Sequence, residues 1–303
     1  MNEPVQLRPG DPGFPDQLAH DTHPLERVWV LGAPLAAHGP MVAVVGTRTP
    51  TEYGLDVARD LAGDLAAQGI CVVSGMARGI DAAAHEGALR VGGGTVAVLG
   101  GGVDVPHPRH LRALYDAILS GGGTIVSQFP LGSKPYRGNF PVRNRVIAAL
   151  SLGVVVVQAA AHRSGALGTA QHADALGREV FAVPGDIRSP VSEGVHDLFR
   201  SGAHICTRAD DVLGVLDQPI RRALRIDPDG IPLDAGDDVR AVLKLLVDGP
   251  QPLERIARQS GLELVTAMRT LSRLEQRGLV VRFGAAAYRA RWSNRAASSR
   301  AGA

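Results

Sequence analysis

The chain has 303 residues, 45% of them hydrophobic, with 37 Gly, 20 Pro and a formal charge of +2, the composition of a globular protein large enough for one sizeable domain and a smaller one. Two cysteines, Cys71 and Cys206, exclude a disulfide framework and a zinc site of the usual spacing, and point to a reducing, cytoplasmic compartment. Nothing resembles a charged-then-apolar leader or an apolar run of about 18 residues, so no membrane contact is expected.

Residues 1–40 contain PGDPGFPDQL and VWVLGAP and read as an irregular N-terminal extension packing on a sheet. From residue 41 onward, short apolar runs alternate with helix-length segments. Strands are expected at 41–45, 70–74, 95–99, 124–127, 153–158 and 179–183, near-continuous Val, Ile, Leu and Ala as in parallel strands covered on both faces. Helices are expected between them at 52–68, 80–90, 109–119, 141–150 and 166–176. This alternation predicts an α/β fold over 41–216, a Rossmann-like, doubly wound, mostly parallel sheet. Residues 217–237 lack periodicity and read as a linker. Residues 238–291 give three helical segments and two short strands about a turn, the order of a winged helix, and 292–303 read as a disordered tail. On the third of these helices Met268, Leu271 and Leu274 are expected to be buried, with Thr266, Arg269, Thr270, Arg273 and Arg277 outward. Residues 221–303 carry 15 Lys and Arg against 9 Asp and Glu, while residues 1–220 carry 17 against 21. The basic end suits a weak duplex-DNA contact by the winged helix, or equally a solvated surface.

The expected strand ends carry glycine turns. VVGTRTPTEYG places Gly46 and Arg48 at a helix entrance, where free N–H groups favour phosphate and an arginine adds a bidentate donor. It is not GxGxxG, and no acidic residue ends the second strand, so a dinucleotide is not the expected ligand. SGMARGIDAAAHEGAL repeats the device with Gly75, Arg78 and Gly79. Asp81 and His85 share a helix face there, and a structural carboxylate is the commoner arrangement than an acid–base pair. LGGGVDVPHPRH follows the third strand, and FPLGSKPYRGNFPVRNRVIAAL then supplies Lys134, Arg137, Arg143 and Arg145 among Tyr136 and Phe140. Cations for phosphates beside flat rings for bases are what single-stranded nucleic acid requires. SGALGTAQHADAL adds a last turn at Ser164 and Gly165. The histidines form no HxxxH or HxH site, and no GxSxG or Walker loop is present, so no metal, cofactor or activated nucleophile is expected. So many cationic turns on one sheet edge suit a polyphosphate chain better than a mononucleotide.

These strings, from FPDQL through FPVRNRVIAALS and SGALGTAQHADALGREVFAVPGDI to LSRLEQRGLV, resemble in order the DNA-processing protein A family (DprA, also called Smf). The resemblance covers most of the chain. It implies an extended Rossmann domain that binds single-stranded DNA, forms a homodimer and loads RecA during natural transformation. Recombinational repair is a second role to weigh, and single-stranded DNA-binding protein a further candidate partner. By position the resemblance implies DNA contacts at Arg48, Arg78, Lys134, Asn139, Phe140, Arg143, Asn144, Arg145, Ser164 and Gly165, beside the turn glycines Gly46, Gly75 and Gly79. The chain departs from the family pattern at Thr47, Met76 and His107, where serine, leucine and tyrosine are usual, and at Gln128 and Gln158, where glutamates are. The same superfamily holds lysine-decarboxylase-like nucleotide hydrolases with a signature resembling PGGxGTxxE, which makes a nucleotide-hydrolysing or nucleotide-sensing enzyme the alternative. Here that string is SGALGTAQH, with His172 in the place of the glutamate, so a non-enzymatic recombination mediator is the expectation.

Overall fold

A computed structural model describes residues 3–19, 24–161, 164–283 and 287–292, and the chain divides into two units between Leu216 and Asp217. In the first unit the apolar runs become β1 (Val5–Leu7), β2 (Val28–Gly32), β3 (Met41–Val45), β4 (Cys71–Ser74), β5 (Thr95–Val98), β6 (Thr124–Ser127), β7 (Gly153–Val156), β8 (Glu179–Ala182) and β9 (His204–Ile205). They form one sheet in the order β1-β2-β6-β5-β4-β3-β7-β8-β9. From β6 to β9 every neighbouring pair is parallel. The helices are α1 (Asp16–Ala19), α2 (Glu52–Ala67), α3 (Ile80–Arg90), α4 (Arg112–Ser120), α5 (Asn139–Leu150), α6 (Gly165–Ala175), α7 (Glu193–Arg200) and α8 (Ala209–Val215). Both sheet faces are covered, which is why the strands read as continuous apolar runs. Val96 and Val98 of β5 join one core with Ile147 and Ala170, while Ala97 joins another with Tyr115 and Ile118.

The N-terminal segment corrects its expectation. It lengthens the sheet instead of packing on it as an irregular extension: β1 pairs antiparallel with β2, and β2 with β6, Val30 standing opposite Val126. A sheet edge offers unpaired N–H and C=O groups to any apolar strand that can reach it. Val28 and Val30 are buried on one face, and Trp29 and Leu31 pack against the other core.

The second unit holds α9 (Asp217–Leu224), α10 (Asp237–Val247), α11 (Leu253–Ser260) and α12 (Leu264–Gln276), with β10 (Gln251–Pro252), β11 (Val280–Phe283) and β12 (Ala287–Ala290) in an antiparallel sheet ordered β10-β12-β11. The stretch read as a linker, 217–237, opens with α9 and is ordered by buried Ile220, Ile226 and Ile231, by Asp227 Oδ1 accepting from Asp229 and Ile231 N–H at 2.9 Å, and by buried Arg221. Arg221 pairs with the Asp217 carboxylate at 2.8 Å and donates through Nη1 to the carbonyls of Asp227, Pro228 and Trp292 at 3.0–3.1 Å. Three isolated isoleucines and polar ties of this kind leave no regular apolar period to read. Of the expected tail only Trp292 lies among the described residues; it is buried, and its indole N–H donates to Gly278 O at 3.2 Å. On α12 the buried stripe is Ala267, Thr270, Leu271 and Leu274, whereas Met268 is 51% exposed. At about 100° per residue a stripe through Leu271 and Leu274 includes positions 267 and 270 and leaves 268 outside, whatever its hydrophobicity. No helix among the described residues is long and apolar enough to cross a membrane.

Candidate nucleic-acid interface

After β3 the chain lays β4, β5 and β6 to one side, then returns through α5 to place β7 on the other. Where the direction reverses, the turns beyond β3 and β7 diverge and leave a crevice at the carboxyl ends of the strands. That crevice is a cleft of about 730 Å³ lined by Gly46, Thr47, Arg48, Arg143, Asn144, Ser164 and Gly165 among others. A smaller recess of about 140 Å³ continues it between Arg48, Arg78, Met76, Leu99, His107 and Phe140.

Each wall has a local cause. Beyond β3, Thr47 N–H donates to Gln158 O at 2.8 Å, and Thr51 caps α2 by accepting from Gly54 N–H at 3.2 Å. The Gln158 side chain fixes that cap from below, accepting from Thr51 N–H at 3.0 Å and donating to Thr51 Oγ1 at 2.8 Å. The amide at 158 is thus a clamp on the turn. Beyond β4, Gly79 has φ +85°, and a Cβ there would stand 2.5 Å from Thr47 O. Only glycine lets this turn meet the one beyond β3. Buried Met76 also takes a positive φ, 57°, an uncommon conformation for a side-chain-bearing residue. The loop before α5 is tied to the turn beyond β5 by Gly102 N–H donating to Ser133 O at 2.9 Å and by Asn139 Nδ2 donating to Gly100 O at 2.9 Å.

The cations fall into two groups. Arg48, Arg78, Lys134 and Arg137 are exposed, and the Arg48 guanidinium lies over the Phe140 ring, 5.1 Å from its centroid. Arg143, expected as a phosphate donor, is instead only 4% exposed. Its Nε donates to Asn144 Oδ1 at 3.2 Å and its Nη1 to the carbonyls of Gly75, at 2.6 Å, and Val98. Burial lowers its pKa to about 10, opposed by the neighbouring Asp81 carboxylate. Asn144 is buried too and donates through Nδ2 to Gly165 O at 2.9 Å. Gly75 and Arg78 line the recess; Gly79, Lys134, Asn139 and Arg145 line neither cavity, Arg145 being half-buried on α5.

Asp81 and His85 do not act on each other. Asp81 accepts from Ala77 N–H at 3.4 Å, and burial pushes its carboxyl above the usual range against the pull of Arg143 and of the nearby Ala77 and Gly46 N–H groups. His85 meets Thr95 Oγ1 at 2.7 Å, and that hydroxyl donates to Val72 O at 2.8 Å. The hydroxyl proton being committed, His85 Nδ1 carries the ring proton and donates. Burial, aided by Arg143, holds the ring neutral and lowers its pKa to about 3.

The sequence named Arg137, His107 and His172 but did not place them in the cavities, and it gave no separate signal for Thr169 or His110. Arg137, Thr169 and His172 line the cleft, and His107 and His110 the recess; the HPRH string and the loop arginine were visible, but nothing local says that they turn inward. Among the described residues no group of three or more His, Cys, Asp or Glu is placed to hold a metal ion.

The family model for DNA recombination-mediator protein A matches residues 6–217. Protein Smf of Escherichia coli K12 is 46% identical over 208 residues, 68% of this chain and 55% of that protein. The DNA processing protein DprA of Streptococcus pneumoniae is 42% identical over 174 residues, 57% of this chain and 61% of its own. The chain thus spans a little over half the length of these curated relatives. Its structure is similar to the X-ray structure of the Streptococcus pneumoniae protein, with a TM-score of 0.65, 37% identity, and coverage of 69% of this chain and 73% of that one. It is also similar to DNA processing protein A from Helicobacter pylori, described for its single-stranded DNA binding mode, with a TM-score of 0.61, 26% identity, and coverage of 71% and 95%.

Proposed function

The chain belongs to the DNA recombination-mediator protein A family, and on that premise we propose that it binds single-stranded DNA in the switch-point cleft and acts as a recombination mediator. The observation that carries the reading is the exposed Arg48 stacked on Phe140 between two connected cavities, with Arg78 and Arg137 on their walls. Cations in the larger cleft suit a backbone. An aromatic ring in the smaller recess suits an unpaired base, which a duplex does not release. The relative from Helicobacter pylori, whose structure is described for single-stranded DNA binding, supports the same ligand.

In this reading Arg48, Arg78 and Arg137 hold phosphates in the cleft and recess, the exposed Lys134 holds one on the strand's path outside both, the turn amides near Gly46, Gly75 and Ser164–Gly165 assist, and Phe140 stacks on a base. Arg143, Asn144 and Asn139 shape the walls. The cleft binds without chemistry: the glutamate of the hydrolase signature is replaced by His172, and Asp81 and His85 are each engaged elsewhere. RecA loading, homodimer formation and contact with single-stranded DNA-binding protein complete the proposal, on the strength of the family's mediator role. The second unit, read as a winged helix, adds a weak duplex contact. Fluorescence anisotropy with a short oligo-dT at moderate salt tests the cleft. Arg48→Ala and Lys134→Ala, singly and together, are expected to weaken binding, and unchanged affinity in the double variant would refute the site.

A further inference from the structure

An anion-binding cleft has little reason to keep a carboxylate in its floor, yet Asp81 lines this one. A charge there repels phosphate. Its connections supply another role. Asp81 accepts from Ala77 N–H in the turn beyond β4 and faces Gly46 N–H in the turn beyond β3. Arg143, beside it, donates to Gly75 O in that second turn and to Val98 O where β5 ends. Asn144, bonded to Arg143 Nε, donates to Gly165 O at the turn that follows β7. Three neighbouring side chains, Asp81 and Arg143 by their charges and Arg143 and Asn144 by a hydrogen bond, therefore reach the turns beyond β3, β4, β5 and β7, which line the cleft and its recess.

The set has little slack. Asp81, Arg143 and Asn144 are 6%, 4% and 8% exposed, and the Asn144 amide uses both its oxygen and its nitrogen, which fixes its orientation. A Cβ on Gly75 would lie 2.6 Å from Asp81 Oδ2 and 2.8 Å from Arg143 Nη2. Close-packed interiors transmit displacement instead of absorbing it. We propose that Asp81, Arg143 and Asn144 are positioning residues that hold the four turns in register, so that the phosphate contacts of the cleft are made or lost together. This rests on the single-strand-binding reading above.

The two roles for Asp81 predict opposite signs. If it were only a nearby negative charge, Asp81→Asn would tighten binding to single-stranded DNA. As a positioning residue its loss weakens binding by tenfold or more, roughly the value of one charge-assisted hydrogen bond. Two further readouts separate positioning from general loss of stability. The slope of log K against log salt is expected to fall by more than the roughly 0.7 that one lost phosphate contact explains. Arg48→Ala is expected to matter less in the Asp81→Asn background than in the parent, because coupled groups are not additive.

The measurement is oligo-dT anisotropy on the full chain across a salt series, with thermal unfolding alongside. Removing Asp81 alone strands a buried guanidinium; should that variant fail to fold, Asp81→Asn with Arg143→Met removes both charges, and the same slope and coupling are read from it. Affinity equal to or above the parent's, or strict additivity with Arg48→Ala, would overturn the proposal while leaving the binding reading intact. Absence of binding by the parent chain would overturn both.

Discussion

Salt titration turns the division of the cations into a number. Arg48, Arg78, Lys134 and Arg137 are exposed, whereas Arg143 is buried and bonded to carbonyls. Each phosphate neutralised on a single strand contributes about 0.7 to the slope of log K against log salt, so four contacts give a slope of about −2.8. Between 50 and 200 mM salt such a slope weakens binding about 50-fold. Arg48→Ala is expected to bring the slope to about −2.1. Replacing Lys134 as well brings it to about −1.4. Equilibrium anisotropy with an oligo-dT at four or five salt concentrations measures this directly. A slope near zero, or one that Arg48→Ala leaves unchanged, would refute the assignment of these side chains to phosphates.

Other expectations follow from the interior. His85 is held neutral with a pKa of about 3 against an ordinary 6.5, so the unfolded chain takes up its proton first: this stability is intact above pH 6.5 and declines towards pH 3 by about 1.4 kcal/mol per unit. Urea unfolding at pH 7 and pH 5 is expected to show His85→Gln losing about 2 kcal/mol less than the parent across that window, and equal losses would contradict the buried neutral ring. Gly79→Ala forces a positive φ on a side chain whose Cβ meets Thr47 O, at a cost of about 1–3 kcal/mol; calorimetry and oligo-dT binding are both expected to suffer, and an unaffected variant would show that the two turns do not need this approach. α12 exposes Arg269 and Arg273 beside Leu264, Val265 and Met268, cations that can meet a duplex backbone. Duplex binding by the second unit is therefore expected to weaken when both arginines are replaced by alanine, and an unchanged affinity at moderate salt would be inconsistent with that face.

Much of the sheet was legible because strands buried on both faces must be largely apolar, so β3 to β8 announce themselves as short apolar runs, those of β3, β4 and β5 closed by glycine turns. The antiparallel strands were not, since β2 is a strand only because β6 offers it a partner nearly a hundred residues away. The site divides in the same way. Turn glycines and arginines could be named from local strings, and Gly79 is where a glycine was expected to matter. But Arg48 and Arg143 are the same residue type in equally basic strings, and only the packing of α5 beneath the turns sends one into solvent and the other to the carbonyls of Gly75 and Val98. Met268 and Thr270 exchange their expected places because helix phase outranks hydrophobicity over a single turn. Residues 217–237 concealed their order for a related reason: isolated isoleucines and an arginine gathering three carbonyls leave no periodic trace.

The clamp that Gln158 places on Thr51 has a kinetic consequence. Together with the tie between Asn139 and Gly100, it means that the walls are set when the chain folds, not when a strand arrives. Preorganisation of this kind removes the ordering step from association. Mixed rapidly with excess protein, an oligonucleotide is then expected to bind in one phase whose observed rate climbs linearly with concentration. Added salt would slow the encounter, through weaker electrostatic steering, without introducing a second phase.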